Sequence, residues 1–148
     1  MDFLGEFLRR RKILHLMGID TSSVVLSVFE ALKHTPTDKW FLASDIIKQI
    51  KVHKPLINVE RTVVYKLLAR LAERGVIEIV DIDDIPELAG IASRNTRKTV
   101  KRRMGLSHTR KVYYYHPERW VGWLDAVIED VKYLKRKAIE YWMPVTVQ

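Results

Sequence analysis

A mainly α-helical domain with a small antiparallel β-wing and a long C-terminal helix is predicted from three observations. First, Val64, Leu67, Leu68 and Leu71 repeat at i, i+3, i+4, i+7, the stripe of a helix with one buried face. Second, two short β-rich runs, Val76-Ile77-Glu78-Ile79-Val80 and Lys111-Val112-Tyr113-Tyr114-Tyr115, flank a long charged connection. Third, Trp120, Leu124, Val127, Val131, Leu134, Ala138 and Tyr141 alternate in steps of four and three, which is a heptad stripe.

The elements follow in order. Residues 3–17 read as one amphipathic helix, with Phe3, Phe7, Leu14 and Met17 on its apolar stripe and Arg10 interrupting it. The basic run Arg9 to Lys12 offers either a solvated face or an arm for phosphates. Asp20 or Thr21 can cap the next helix, whose stripe is Val25, Val28, Phe29 and Leu32. Pro36 marks a turn, and Trp40-Phe41-Leu42 suits a short strand. Ser44 and Asp45 open a helix carrying Ile46, Ile47 and Ile50. Asn58 is a cap for the helix holding Val64 to Leu71, and Gly75 sits where a C-terminal glycine belongs. Pro117 can start the last helix, which Pro144 stops. The domain boundaries are 1–19 for the N-terminal helix, 20–116 for the central region and 117–143 for the C-terminal dimerisation helix, with a wing over 81–111.

Helix, short strand, helix, helix, strand, connection, strand is the order of a winged helix-turn-helix. The run Thr62-Val63-Val64-Tyr65-Lys66-Leu67-Leu68-Ala69-Arg70-Leu71-Ala72-Glu73-Arg74-Gly75-Val76-Ile77 resembles the third helix and first wing strand of PadR-like regulators. Arg110 to Tyr115 is similar to their returning wing strand, and the long last helix to their dimerisation helix. The resemblance covers about residues 21–142. It departs in the wing, a short hairpin in that family and near 30 residues here. It implies a homodimer that binds double-stranded DNA and regulates transcription. It also implies a small planar aromatic effector held against tryptophan at the dimer interface, for which Trp120, Trp123 and Trp142 are available.

The residues support the same expectation independently. With the Val64 stripe facing inward, roughly 100° per residue places Thr62, Tyr65, Lys66, Ala69 and Glu73 outward and Arg70 on the flank. A recognition helix needs one anchored face and one hydrogen-bonding face. Arg61, Thr62, Tyr65 and Lys66 are therefore the expected base-edge contacts, and Arg70 a phosphate contact. From Arg94 to Lys111 the chain holds Arg94, Arg97, Lys98, Lys101, Arg102, Arg103, Arg110 and Lys111 and no acid. Phosphate contact by such a wing adds affinity without sequence information. The heptad positions Trp120, Leu124, Val127, Val131, Leu134, Ala138 and Tyr141 are the expected dimer interface. Just before the basic run, Glu78, Asp81, Asp83, Asp84 and Glu87 form an acidic stretch that reads as a solvated turn rather than a divalent-metal loop.

Composition bounds these readings. The 148 residues suffice for one core, and 47% are hydrophobic, which argues against general disorder. A net charge of +8 and a pI near 9.8 suggest a polyanionic partner. Absent cysteine excludes disulfides and thiolate chemistry. The order of apolar and charged residues at the N-terminus is wrong for a secretory signal, and no run reaches a membrane-spanning length. A cytoplasmic location without membrane contact is expected. Scattered histidines and isolated glycines give no catalytic set, so neither enzyme activity nor a cofactor is expected. Dense charge and Ile/Val usage suit a thermophilic archaeon or its virus. Two other readings compete: a winged-helix module for protein assembly, and an architectural DNA binder with little sequence preference.

Overall fold

The computed structural model describes residues 3–19, 22–85, 98, 102–103 and 111–143. Among the described residues, the elements with defined bounds are six α-helices, a short 3₁₀ turn and a two-stranded antiparallel sheet. In order, the α-helices and strands are α1 (Phe3–Arg9), α2 (Arg11–Leu16), α3 (Ser23–Lys33), α4 (Ala43–His53), α5 (Arg61–Glu73), β1 (Ile77–Asp81), β2 (Lys111–Tyr115) and α6 (Arg119–Trp142). The protein is thus mainly helical, with a small sheet and a long C-terminal helix.

The N-terminal helix expected over 3–17 is two helices. Arg10 leaves helical geometry at φ −91°, ψ 74°. The break lets Leu4 and Phe7 of α1 and Leu14 of α2 all enter the core, while Phe3 stays 47% exposed. Chain reversal after α2 uses Gly18 at φ +68°, a conformation that costs a side-chain-bearing residue about 1–2 kcal/mol.

At α3, Asp20 and Thr21 lie outside the described residues. The cap is Ser22, whose hydroxyl accepts the Val25 N–H at 3.2 Å. Val25, Val28, Phe29 and Leu32 are buried as the stripe requires. Asp45 in the first turn of α4 accepts the Leu42 N–H at 2.8 Å. Ile46, Ile47 and Ile50 are buried beside it. The expected cap of α5 is displaced: Asn58 stands outside, Glu60 is the N-cap residue, and its side chain makes no capping bond. Val64, Leu67, Leu68 and Leu71 are at most 4% exposed. Burying each contributes roughly 1.5–3 kcal/mol, which fixes how α5 is rotated about its axis. Gly75 ends the helix at φ +80°. Helices α3, α4 and α5 pack pairwise, and α5 leads directly onto β1.

The hairpin register pairs Ile77 with Tyr115, Ile79 with Tyr113 and Asp81 with Lys111. The expected strand at Trp40–Leu42 is reduced to one bridge, in which Phe41 and Tyr113 exchange both backbone hydrogen bonds at 2.8 and 2.9 Å. Alternation along β2 sends Tyr113 and Tyr115 to the main core. Val112 goes to a smaller cluster with Leu42, Ile82 and Ile85. The long connection therefore does not leave the body at residue 81. A 3₁₀ turn, Ile82–Asp84, folds back and buries Ile82 and Ile85 against the outer face of the hairpin.

Helix α6 spans 24 residues. Its first seam residue corrects the expectation for Trp120, which is 2% exposed within the chain. Its ring meets Phe7 at 4.8 Å and Phe3 at 5.8 Å between centroids, and Trp123 edge-on at 6.2 Å. Its indole N–H donates to the Tyr115 hydroxyl at 3.1 Å. Trp120 therefore closes the core of its own chain and has almost no surface left for a partner or an effector. One apolar cluster runs from Leu4 to Trp120 and includes the N-terminal segment. Among the described residues, no helix is long and apolar enough to cross a membrane.

Two glycine substitutions isolate the backbone terms. At Gly75 an added Cβ meets nothing within 4 Å, so Gly75→Ala measures the cost of positive φ alone. At Gly18 an added Cβ would stand 2.5 Å from Arg70 Nη1, the far end of a side chain that can swing away. Both variants are expected to lose about 1–2 kcal/mol in denaturant unfolding. A loss above about 3 kcal/mol at Gly18 alone would mean that the Arg70 guanidinium is held rigidly there.

Candidate nucleic-acid interface

The buried arc of α5 defines its opposite. Arg61, Thr62, Tyr65, Lys66, Ala69 and Arg70 are all exposed. On the helix axis they span roughly half a turn, with the small Thr62 and Ala69 central and longer side chains on both flanks. Arg61 and Tyr65 form one flank, Lys66 and Arg70 the other. The expected contact residues of this helix are therefore brought onto one continuous solvent face.

The two flanks have different neighbours. Lys66 and Arg70, with Val63 and Leu67, line a shallow depression with Gly18, Ile19, Ser22 and Val25. Arg74, one turn on, donates from Nη2 to the Leu16 carbonyl at 3.3 Å and pairs with Glu73 at 3.6 Å. A guanidinium at the last carbonyls of α2 offsets the partial negative charge of that helix end. This brace was not read from the sequence. Its only signal is a basic residue just past the last turn of α5.

On the other flank Tyr65 faces the sheet. Burial pushes the Tyr113 phenol above its ordinary value, and the proximity of Tyr65 pushes it further the same way. The Tyr113 ring stacks on Phe41 at 5.6 Å. The Tyr115 phenol is also raised, chiefly by burial, against the opposing effect of the Trp120 hydrogen bond. A raised phenol pKa means that the fold favours the protonated form. The corresponding stability is fully present below the ordinary value of 10.0 and is lost as pH rises through the raised values. The urea midpoint is therefore expected to hold steady from pH 7 to 9 and to fall above pH 10. A midpoint that stays flat to pH 12 would contradict the burial of these phenols.

The wing residues divide. Lys111 is exposed at the start of β2, opposite Asp81 in the register. Lys98, Arg102 and Arg103 have helical backbone and are exposed. Arg94, Arg97, Lys101 and Arg110 lie outside the described residues. Of the acidic stretch expected to be a turn, Glu78 and Asp81 lie in β1, Asp83 and Asp84 lie in the 3₁₀ turn, and Glu87 lies outside the described residues. Asp81 Oδ1 accepts the Asp83 N–H at 2.9 Å, and Glu78 Oε2 meets His116 Nε2 at 2.9 Å. Among the described residues no group of three or more His, Asp or Glu could hold a metal.

Of the heptad positions beyond Trp120, Leu124 and Val127 are half-buried, and Val131, Leu134, Ala138 and Tyr141 are exposed. Sequence reasoning missed the aromatic cluster of Phe3, Phe7, Trp120 and Trp123 because it joins residues more than 100 positions apart. No family model, no curated protein and no solved structure matches the chain.

Proposed function

We propose that the protein is a winged helix-turn-helix regulator of transcription that binds double-stranded DNA as a homodimer, with α5 as the recognition helix. The observation that carries this reading is the two-sided character of α5. One arc is anchored by four buried aliphatic residues, and the other presents Arg61, Thr62, Tyr65, Lys66 and Arg70 to solvent. Helix α4 packs against α5 across a turn at 54–60, which supports a helix-turn-helix arrangement. The N-terminal end of α5 has no side-chain cap, so its first N–H groups are open to an acceptor.

In this reading Arg61, Thr62, Tyr65 and Lys66 approach base edges in the major groove, and Arg70 approaches phosphate. The basic connection supplies phosphate contacts through Lys98, Arg102, Arg103 and Lys111, together with Arg94, Arg97, Lys101 and Arg110. The site is an imperfect palindrome with half-sites about 34 Å apart. The exposed Lys98, Arg102 and Arg103 favour a second reading, an architectural binder driven by the wing.

The test is fluorescence anisotropy on a random-sequence duplex across a salt series, for wild type and for a variant with Arg97, Lys98, Lys101 and Arg102 all changed to Ala. Micromolar or tighter binding with a steep salt slope, reduced in the variant, is expected. Absent binding at low salt would remove both DNA readings. Competition by a selected duplex over a random one separates the regulator from the architectural binder.

A further inference from the structure

We propose that the groove between α1 and α3 binds a soluble alkyl carboxylate, with its chain over Leu4, Leu8 and Leu26 and its head among Arg9, Lys33 and Lys54. Such a site is independent of duplex binding by α5.

The groove has a volume of about 500 Å³ and ends against Lys54, just past α4. Small-molecule sites commonly hold roughly 300–1,000 Å³. Its floor is apolar. Leu4 and Phe29 are buried there, and Leu8 is half-buried on the α1 wall. Gly5, also in that wall, adds no side chain to fill the space. On the facing wall Leu26 of α3 remains 40% exposed. A single exposed leucine is ordinary, but this one extends an apolar floor into a concavity. Phe29 is only 1% exposed, so the apolar surface on offer is aliphatic and presents no ring face for stacking a planar aromatic. From Leu26 to Lys33 the groove follows α3 for about 10.5 Å, which suits an extended chain.

Charge selects the head. Arg9, Lys33 and Lys54 line the groove against one acid, Glu30. A ligand that covers the leucines must therefore bring a negative group to the edge. A bare inorganic anion would leave the leucines wet, and an alkylammonium would meet like charge. Lys54 Nζ already pairs with Glu30 at 3.1 Å, but the two side chains are 40% and 56% exposed. An exposed pair contributes little, so an arriving carboxylate can take over Lys54 at small cost. The basic connection from Arg94 to Lys111 has the wrong sign to occupy this site.

Isothermal titration calorimetry on the full chain tests the site, with decanoate as the probe below its micelle concentration. One decanoate per chain is expected, bound about tenfold or more tightly than decanol and more tightly still than decylammonium. Each methylene removed from the probe should weaken binding about fourfold. Leu26→Gln should weaken decanoate binding about three- to tenfold. Arg9→Gln/Lys33→Gln should weaken it about tenfold. Glu30→Gln should strengthen it about threefold, since the acid beside Lys54 is gone. Lys135→Gln, on the exposed surface of α6, controls for net charge and should change nothing. Leu26, Arg9, Lys33 and Glu30 are all exposed, so the circular dichroism spectrum should stay that of wild type. Decylammonium binding as tightly as decanoate overturns the proposal. So does decanoate binding that neither Leu26→Gln nor Arg9→Gln/Lys33→Gln weakens. A wild type that takes up no decanoate at millimolar probe also overturns it. In that case light scattering of Leu26→Gln would show whether a second copy covers the groove, and sedimentation with phosphatidylglycerol vesicles whether a membrane surface does.

Discussion

Trp120→Ala is expected to lower the free energy of unfolding by about 3–5 kcal/mol, the usual cost of deleting a buried large aromatic side chain. A typical domain holds only about 5–15 kcal/mol, so the loss is a large share of the total. The cost has separable parts. Phe3, Phe7 and Trp123 lose the ring that joins α1 to α6. The Tyr115 hydroxyl, largely withdrawn from water, loses the donor at 3.1 Å. Trp120→Phe keeps much of the packing and removes only the donor, so it should cost less than half as much. Trp142, on the same helix and 76% exposed, provides the contrast: Trp142→Ala should change stability by no more than about 0.5 kcal/mol. Urea unfolding followed by circular dichroism measures all three. A loss below about 1 kcal/mol for Trp120→Ala would return Trp120 to the seam.

The same residue illustrates which parts of the molecule were legible in the sequence. A heptad stripe on the last helix was readable because periodicity is a local property of the chain. What covers the stripe was not, because Trp120 finds Phe7 across more than 100 intervening residues. Periodicity likewise located the α5 stripe and the β2 boundaries. It joined α1 to α2 because the stripe continues through a break that only backbone geometry at Arg10 reveals. The cap of α5 was misplaced at Asn58, since a polar residue before an apolar stripe is a common cap but Val59 turns inward and shifts the helix start to Arg61. Ile82 and Ile85 were lost among acids. Their burial depends on the outer face of the hairpin, which exists only once β1 and β2 have paired. The candidate site was more legible than its surroundings. An exposed arc follows by subtraction from a buried one, whereas the Arg74 brace and the approach of Tyr65 to Tyr113 depend on tertiary neighbours.

On a random duplex, where Arg61 and Lys66 lack matched base edges and lie against phosphates instead, Arg61→Ala/Lys66→Ala should weaken binding by about 10- to 100-fold at low salt and reduce the magnitude of the salt slope by about 2. The slope is the sharper readout because it counts phosphates neutralised rather than total affinity. Both residues are exposed on α5 and on opposite flanks of its outer arc, so stability should stay within about 0.5 kcal/mol of wild type. Any loss of binding then belongs to the interface. Lys132→Ala, an equal change of charge per residue on α6, controls for net charge and should leave the slope nearly unchanged. Suppose instead that the double variant keeps the wild-type slope while the variant lacking Arg97, Lys98, Lys101 and Arg102 loses it. Phosphate contact would then lie with the wing alone. The outer face of α5 would be left either for base edges, tested by competition between selected and random duplexes, or for another macromolecule. If both variants lose slope in proportion to the cations removed, helix and wing lie along one phosphate surface. That result is expected for a helix seated in the major groove with its wing beside it.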